Sequence, residues 1–307
     1  MSLVERAARR FEQVITPDKV DWEKYLKPSD VARIVPAENL AETGRERLLL
    51  GRVADYDGLE FPWPKTIGHV LIKPGKLVVW TGWSHHGKTA LLKMLQLYAI
   101  KQGEKPLICS MEEDVAEVWH DMAILACATD EPTARAVDNF IEFIRGKLWF
   151  YDQQGTIDAA RAIALIRYAA KERGVTQLVF DSLMCLDVSR DDYDAQRRFV
   201  AELKAAAKDT GVTVHLVAHM RKRDGKTGEE ELGTMHDIAG GHEIASIADY
   251  VFQVWRNKKK DEKKPAAIVE VHKQRGRVNW LGRIGLDFHD KSRQFTEGKM
   301  PMSFWGE

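Results

Sequence analysis

Gly82-Trp83-Ser84-His85-His86-Gly87-Lys88-Thr89 has the residue types and spacing of a phosphate-binding loop, G-x-x-x-x-G-K-T. Its glycines let successive backbone N–H groups close around an anion at a helix N-terminus, where the helix dipole favours negative charge. Lys88 is placed to reach the β- and γ-phosphates of a nucleotide, and Thr89 to hold Mg2+. Gly82, Trp83, Ser84, His85, His86 and Gly87 would line the phosphates, and no metal role is expected for the two histidines. The fixed positions alone arise by chance in about one chain in a hundred, so the context decides. Residues 76–81 form a short apolar run of strand character, and 90–102 carry Leu91, Leu95 and Tyr98 at helical spacing. Strand, glycine loop and helix together identify a nucleoside-triphosphate site.

Hydrolysis at such a site needs an acid to share the metal and a base for the attacking water. Residues 178–181 are an apolar strand ending in Asp181, expected beside the metal; the plainer alternative is a surface acid after a buried strand. The strand at 106–111 leads into Glu112 and Glu113. It is expected next to the P-loop strand, with Glu112 as the base and Glu113 in the first turn of the following helix, where the dipole favours an acid. His219 ends the strand at 212–219 and could bond the γ-phosphate, or be an ordinary satisfied strand-end histidine. Lys273 and Arg275 follow an apolar strand at 267–271. They are either solvated cations or a pair that crosses a subunit interface to a neighbour's γ-phosphate, as an arginine finger does. Two loops could meet a ligand from the same sheet edge: 188–198, with Arg190, Arg197 and Arg198, and 221–233, with Arg221, Lys222, Arg223 and Lys226. Such loops could grip a nucleic-acid backbone, or be solvated hairpins. The mixed-charge tract 256–264 reads as a mobile surface turn.

These residues must be positioned by an α/β core. Strand-like runs at 77–81, 106–111, 148–151, 177–183 and 212–219 alternate with helical patterns at 89–102, 113–128, 157–173 and 194–209. That alternation implies βαβ units and a mainly parallel sheet. After residue 250 the pattern changes to strand pairs at 250–255, 267–273 and 282–295, an expected antiparallel end. Residues 1–65, with Pro17, Pro28, Pro36 and the break at Pro62 and Pro64, read as a helical arm that docks elsewhere, and 66–307 as the main domain. The 307 residues have formal net charge zero, so nucleic-acid affinity must come from local patches. Cys109, Cys127 and Cys185 sit in apolar surroundings without metal-ligand spacing, as in a reduced cytosolic protein. No apolar run has the length of a membrane span.

Taken in order, these motifs resemble the RecA-like domain of the DnaB-type replicative helicases, with most likeness to the Twinkle and phage primase–helicase branch. The resemblance covers about residues 60–295 and rests on Phe61-Pro62-Trp63-Pro64, Lys73-Pro74-Gly75, the P-loop, Ser110-Met111-Glu112 and Phe180-Asp181-Ser182. Further along it rests on Ala218-His219-Met220, on Asp237 to Gly241, on Ala248-Asp249 with Trp255-Arg256-Asn257, and on His272-Lys273-Gln274-Arg275. It implies Glu112 as base, Asp181 as the Mg2+-linked acid, His219 as γ-phosphate sensor, and Lys273 and Arg275 acting in trans within a ring. It also implies ATP and Mg2+ as cofactors, a homohexamer, single-stranded DNA in a channel lined by the two loops, 5′-to-3′ translocation, and a primase or loader as partner. A phage or plasmid replication gene acting in a bacterial cytoplasm is the expected setting. The stretch before residue 60 is too short for a primase domain, so priming is not carried over. Ser182 stands where the family often has an aromatic residue. The readings set against a helicase are a recombination or annealing ATPase that binds single-stranded DNA without unwinding, and a regulatory ATPase without nucleic acid. The cations after His219 disfavour the latter; Lys273 and Arg275 disfavour the former.

Overall fold

The computed structural model describes residues 34–42, 45, 49, 58–185, 192–220, 231–238, 242–276, 280–298 and 300–305. The chain divides into two compact units, Met1–Ala54 and Asp55–Glu307. In the first, Ala37–Leu40 form a 3-10 turn after Pro36. Its described residues are all exposed, Leu40 at 59% and Leu49 at 72%.

The larger unit is built on one sheet with the strand order β11-β10-β9-β8-β3-β7-β6-β4-β5. Its strands are β3 (Leu77–Gly82), β4 (Pro106–Ser110), β5 (Trp149–Phe150), β6 (Gln177–Asp181), β7 (Thr213–His219), β8 (Tyr250–Arg256), β9 (Ala267–Gln274), β10 (Arg283–His289) and β11 (Gln294–Thr296). A separate small ribbon pairs β1 (Leu59–Glu60) with β2 (Leu71–Ile72). From β8 to β5 every pairing is parallel; β8 to β11 pair antiparallel. Both faces of the parallel part are covered, so its strands are nearly continuous apolar runs. Val78 and Trp80 of β3 enter one core with α1 (Lys88–Lys101), α2 (Val115–Cys127) and α3 (Ala134–Ile144). Leu77 and Val79 enter the other core with α4 (Ala159–Arg173), α5 (Tyr193–Thr210) and α6 (His242–Ile247).

The structure departs from the sequence expectations at four places. Strand β4 is not next to β3: β7 and β6 lie between them, because right-handed crossovers carry the chain two positions away before it returns. Glu113 is not in the first turn of α2. Asp114 caps that helix, accepting from Ala116 N at 2.8 Å, and Glu113 instead pairs with buried Lys93 at 2.6 Å. Helix α3 has no counterpart among the expected elements, although Thr133 caps it and Phe140 anchors it in the core. Phe61 and Trp63, within the proline-rich break, are core residues. Phe61 packs 5.1 Å from Phe252 and 5.8 Å from Trp80, and the Trp63 indole donates to Phe295 O at 2.8 Å. The compact unit accordingly starts at Asp55.

Candidate nucleotide-binding site

The carboxyl ends of the parallel strands gather the candidate residues at one edge, as α/β sheets do for ligands. The P-loop follows β3, Glu112 follows β4, Asp181 ends β6 and His219 ends β7. Two glycines are needed there. Gly82 has φ 146, and a Cβ on it would lie 2.2 Å from Val254 O; Gly87 has φ 85 and caps α1. The turn brings the start of α1 into the loop. Lys88 Nζ donates to the carbonyls of Gly82 and Trp83 at 3.0 and 2.9 Å. His85 takes φ 61 on the exposed side, while His86 is buried and its Nδ1 accepts from Arg256 N at 3.0 Å. That bond leaves Nδ1 unprotonated, as the sequence reading without a metal role requires.

Thr89 Oγ1 donates to Asp181 Oδ2 at 2.6 Å, joining the two residues read as Mg2+ ligands. Beside them Ser182 Oγ donates to Glu112 Oε1 at 2.8 Å. Consecutive residues thus hold the metal-side acid and the base. Burial, followed by the charges of Glu112 and Glu113, raises the Asp181 carboxyl to about 6 against the Thr89 bond and Lys88. Burial likewise lowers Lys88 to about 8, although Asp181 and Glu112 pull it upward. A cluster of acids at such cost is relieved by a divalent cation, and hydroxyl and carboxylate oxygens suit Mg2+, so the residues fit that group. Burial, then Lys88, lowers the His219 imidazole; its Nδ1 is buried and has no partner among the described residues. A neutral ring with a spare nitrogen is what a phosphate sensor requires.

Lys273 and Arg275 are elsewhere. Strand β9 runs antiparallel to β8 and pairs Lys273 with Val251 and Gln274 with Tyr250, at the end of the sheet opposite the P-loop. Lys273 Nζ donates to Ala245 O and Ser246 O, both at 2.7 Å, and Arg275 Nη2 to Ser246 O at 3.1 Å. Burial and the neighbouring Arg275 and Lys204 lower Lys273 to about 8. Arg197 is exposed in the first turns of α5, 3.8 Å from Asp194. Arg190, Arg221, Lys222, Arg223 and Lys226 lie outside the described residues.

Several contacts have no signal in the sequence. Ser182 makes one, since nothing in its type announces a bond to Glu112. The tract expected as a mobile surface turn is organised by Asn257, whose Nδ2 donates to Asp261 O, and Lys258 Nζ reaches Ser84 O at 3.2 Å. Arg256 places its guanidinium 4.8 Å over the Phe288 ring, which packs 5.1 Å from Phe295 beneath Gly87. The cation–aromatic pair therefore flanks the P-loop.

A doubly covered parallel sheet, a P-loop and acids ending two further strands define a RecA-like P-loop ATPase domain. The chain belongs to the KaiC family of ATPases, whose pattern matches residues 69–284. Among curated proteins it is similar to the DNA helicase/primase of Enterobacteria phage T3, with 23% identity over 224 residues. That match covers 67% of this chain and 39% of the phage protein, so the chain spans about two fifths of the relative's length. Among solved structures it is similar to an ATPase domain of the DnaB-like helicases, with TM-score 0.72 and 15% identity over 87% of this chain and all of that one. It is also similar to a DnaB-like replicative helicase studied with its interactions with primase, with TM-score 0.69 and 15% identity over 95% of this chain and 75% of that one. At this identity the likeness establishes a shared fold. Among the described residues, no helix is long and apolar enough to cross a membrane.

Proposed function

We propose that the chain is the motor domain of a replicative DNA helicase, a homohexameric ring that hydrolyses ATP with Mg2+ and translocates 5′ to 3′ on single-stranded DNA to separate the duplex. The observation that carries this reading is the place of Lys273 and Arg275, across the sheet from their own P-loop. A finger so placed can serve only a neighbouring copy's nucleotide, which calls for head-to-tail assembly. The likeness to a phage helicase/primase and to DnaB-like ATPase domains supports the same reading.

In the mechanism, the P-loop amides and Lys88 bind the β- and γ-phosphates. Glu112, held by Ser182, orients the attacking water and takes its proton at the carboxylate. Held by Thr89 and Asp181, a divalent cation supplies charge neutralisation at the phosphates. His219 bonds the γ-phosphate, and Arg275 with Lys273 of the adjacent copy completes the site. The Phe288 face under Arg256 offers the base a stacking surface. Arg190, Arg197, Arg221, Lys222, Arg223 and Lys226 bind DNA phosphates. Residues 1–54, with Leu40 and Leu49 exposed, dock on a neighbouring subunit. The setting is phage or plasmid replication in a bacterial cytoplasm, with a primase or loader as partner.

The test is strand separation on a forked duplex with a 5′ single-stranded tail, ATP and Mg2+, comparing wild type with Lys88→Ala. Unwinding by wild type alone is the expected result. DNA-stimulated hydrolysis without unwinding, with or without a loader, would favour a recombination or annealing ATPase instead.

A further inference from the structure

Trp83 fills a variable position of the P-loop, yet it is only 2% exposed. Its ring packs with Met220 and Trp255, and Leu232 and Ile268 lie against the same cluster. Its indole N–H donates to Glu231 O at 3.0 Å. Met220 and Glu231 are the described residues on either side of 221–230, so one P-loop side chain holds both flanks of that segment. The backbone adds to the grip, because Met220 N donates to Gly82 O at 3.2 Å. Gly233 is in turn tied to β8. With its oxygen turned toward Gly233, the Gln253 amide accepts from Gly233 N at 2.7 Å and donates to Gly233 O at 2.9 Å.

The carbonyls of Gly82 and Trp83 are also the ones that Lys88 binds. An ammonium has three donors, and a phosphate in the loop competes for them. A change at Lys88 therefore alters the acceptor that Gly82 presents to Met220 and the backbone from which the Trp83 ring projects. The path from phosphate to Lys88, to Gly82 and Trp83, and on to Met220 and Glu231 is continuous and made of direct contacts. A smaller residue at position 83 could not fill the space between the flanks and also direct a single donor at the far one.

The geometry points to Trp83 as a coupling residue, a positioning side chain through which nucleotide at the P-loop sets the affinity of the flanked segment for single-stranded DNA. This rests on the reading above, in which Arg221, Lys222, Arg223 and Lys226 are DNA contacts. A residue that only packs would tolerate Trp83→Phe, which keeps an aromatic ring and removes the N–H.

The experiment measures the dissociation constant of the full chain for labelled oligothymidylate, at saturating ADP and at a saturating non-hydrolysable ATP analogue, each with Mg2+. The ratio of the two constants is the coupling. Trp83→Phe should bring that ratio about threefold or more toward one, the effect of losing one buried hydrogen bond. Gly233→Ala, whose Cβ would fall 2.5 Å from Met220 Sδ, should do the same by forcing a flank away from the ring. Wild-type ratios in both variants would overturn the proposal. So would weaker nucleotide binding with an unchanged ratio, which would make Trp83 a part of the nucleotide pocket alone. A wild-type ratio of one with no DNA binding would remove the helicase reading and the coupling together; wild-type coupling that both variants preserve removes the coupling role alone.

Discussion

Arg275 and Gly82 stand at opposite ends of one sheet. Arg275 N donates to Asp249 O and Asp249 N to Leu77 O, both at 2.9 Å, and Leu77 and Gly82 are the two ends of β3. At roughly 3.3 Å per residue, about 17 Å of strand separates the proposed finger from its own P-loop.

Arg275→Ala should therefore keep nucleotide binding and lose hydrolysis by about a thousandfold or more. Mixing it with Lys88→Ala should restore part of the turnover, because some interfaces then join an intact P-loop to an intact finger. Phosphate release across mixing ratios measures this; a flat zero, or normal turnover by Arg275→Ala alone, would refute action in trans.

Ser182→Ala removes the hydroxyl that donates to Glu112 at 2.8 Å. A hydrogen bond to a charged partner suggests a kcat loss of about tenfold to a hundredfold, with KM for ATP little changed. Ser182→Thr, which keeps the donor, should recover most of it. Glu112→Gln is the comparator and should bind nucleotide without turnover.

Phe288→Ala removes the ring beneath Arg256. If the base stacks there, KM for ATP should rise about fivefold or more with kcat preserved, on the scale of aromatic–base stacking. Steady-state kinetics in ATP decide the point, and an unchanged KM places the base elsewhere.

His215 is buried on β7, where its Nδ1 accepts from Trp80 Nε1 at 3.0 Å and its other nitrogen meets Gln177 Oε1 at 2.9 Å. Burial lowers its pKa from 6.5 to about 3. The unfolded chain then binds a proton that the folded chain refuses, so this group's share of stability is full above pH 6.5 and falls as pH drops toward 3. The slope approaches about 1.4 kcal/mol per pH unit for one proton. Urea melts at about pH 7 and pH 5, on either side of the unfolded value, should show a smaller loss in His215→Phe than in wild type.

Trp63→Ala should destabilise the larger unit by about 3–5 kcal/mol, the usual cost of deleting a buried aromatic ring. It also strands Phe295 O, which accepts the indole N–H. A denaturant midpoint close to wild type would mean that 55–65 are dispensable to the core.

The legible parts of this protein are those where local pattern and chemistry coincide. The P-loop, Asp181 and the alternation of β3 to β7 with helices are each announced by a contiguous string. Thr89 and Asp181 meet as that string implies, at 2.6 Å. The rest depends on chain segments meeting in space. Nothing local says that Ser182 faces Glu112, that Trp83 reaches Glu231, or that Phe61 and Trp63 cross the prolines to enter the core. The neighbours of β4 follow from crossover geometry, which no window of sequence contains. Helix α3 is different, since Thr133 and the spacing of Val137, Phe140, Ile141 and Ile144 carry a readable signal.

The sheet that keeps Arg275 away from Gly82 also sets how working centres accumulate as copies join. A lone chain brings two unmatched halves, an open row of n copies has n − 1 completed centres, and a closed circle has n. The final contact creates a centre without recruiting another chain, so turnover per copy becomes a gauge of whether the circle is shut.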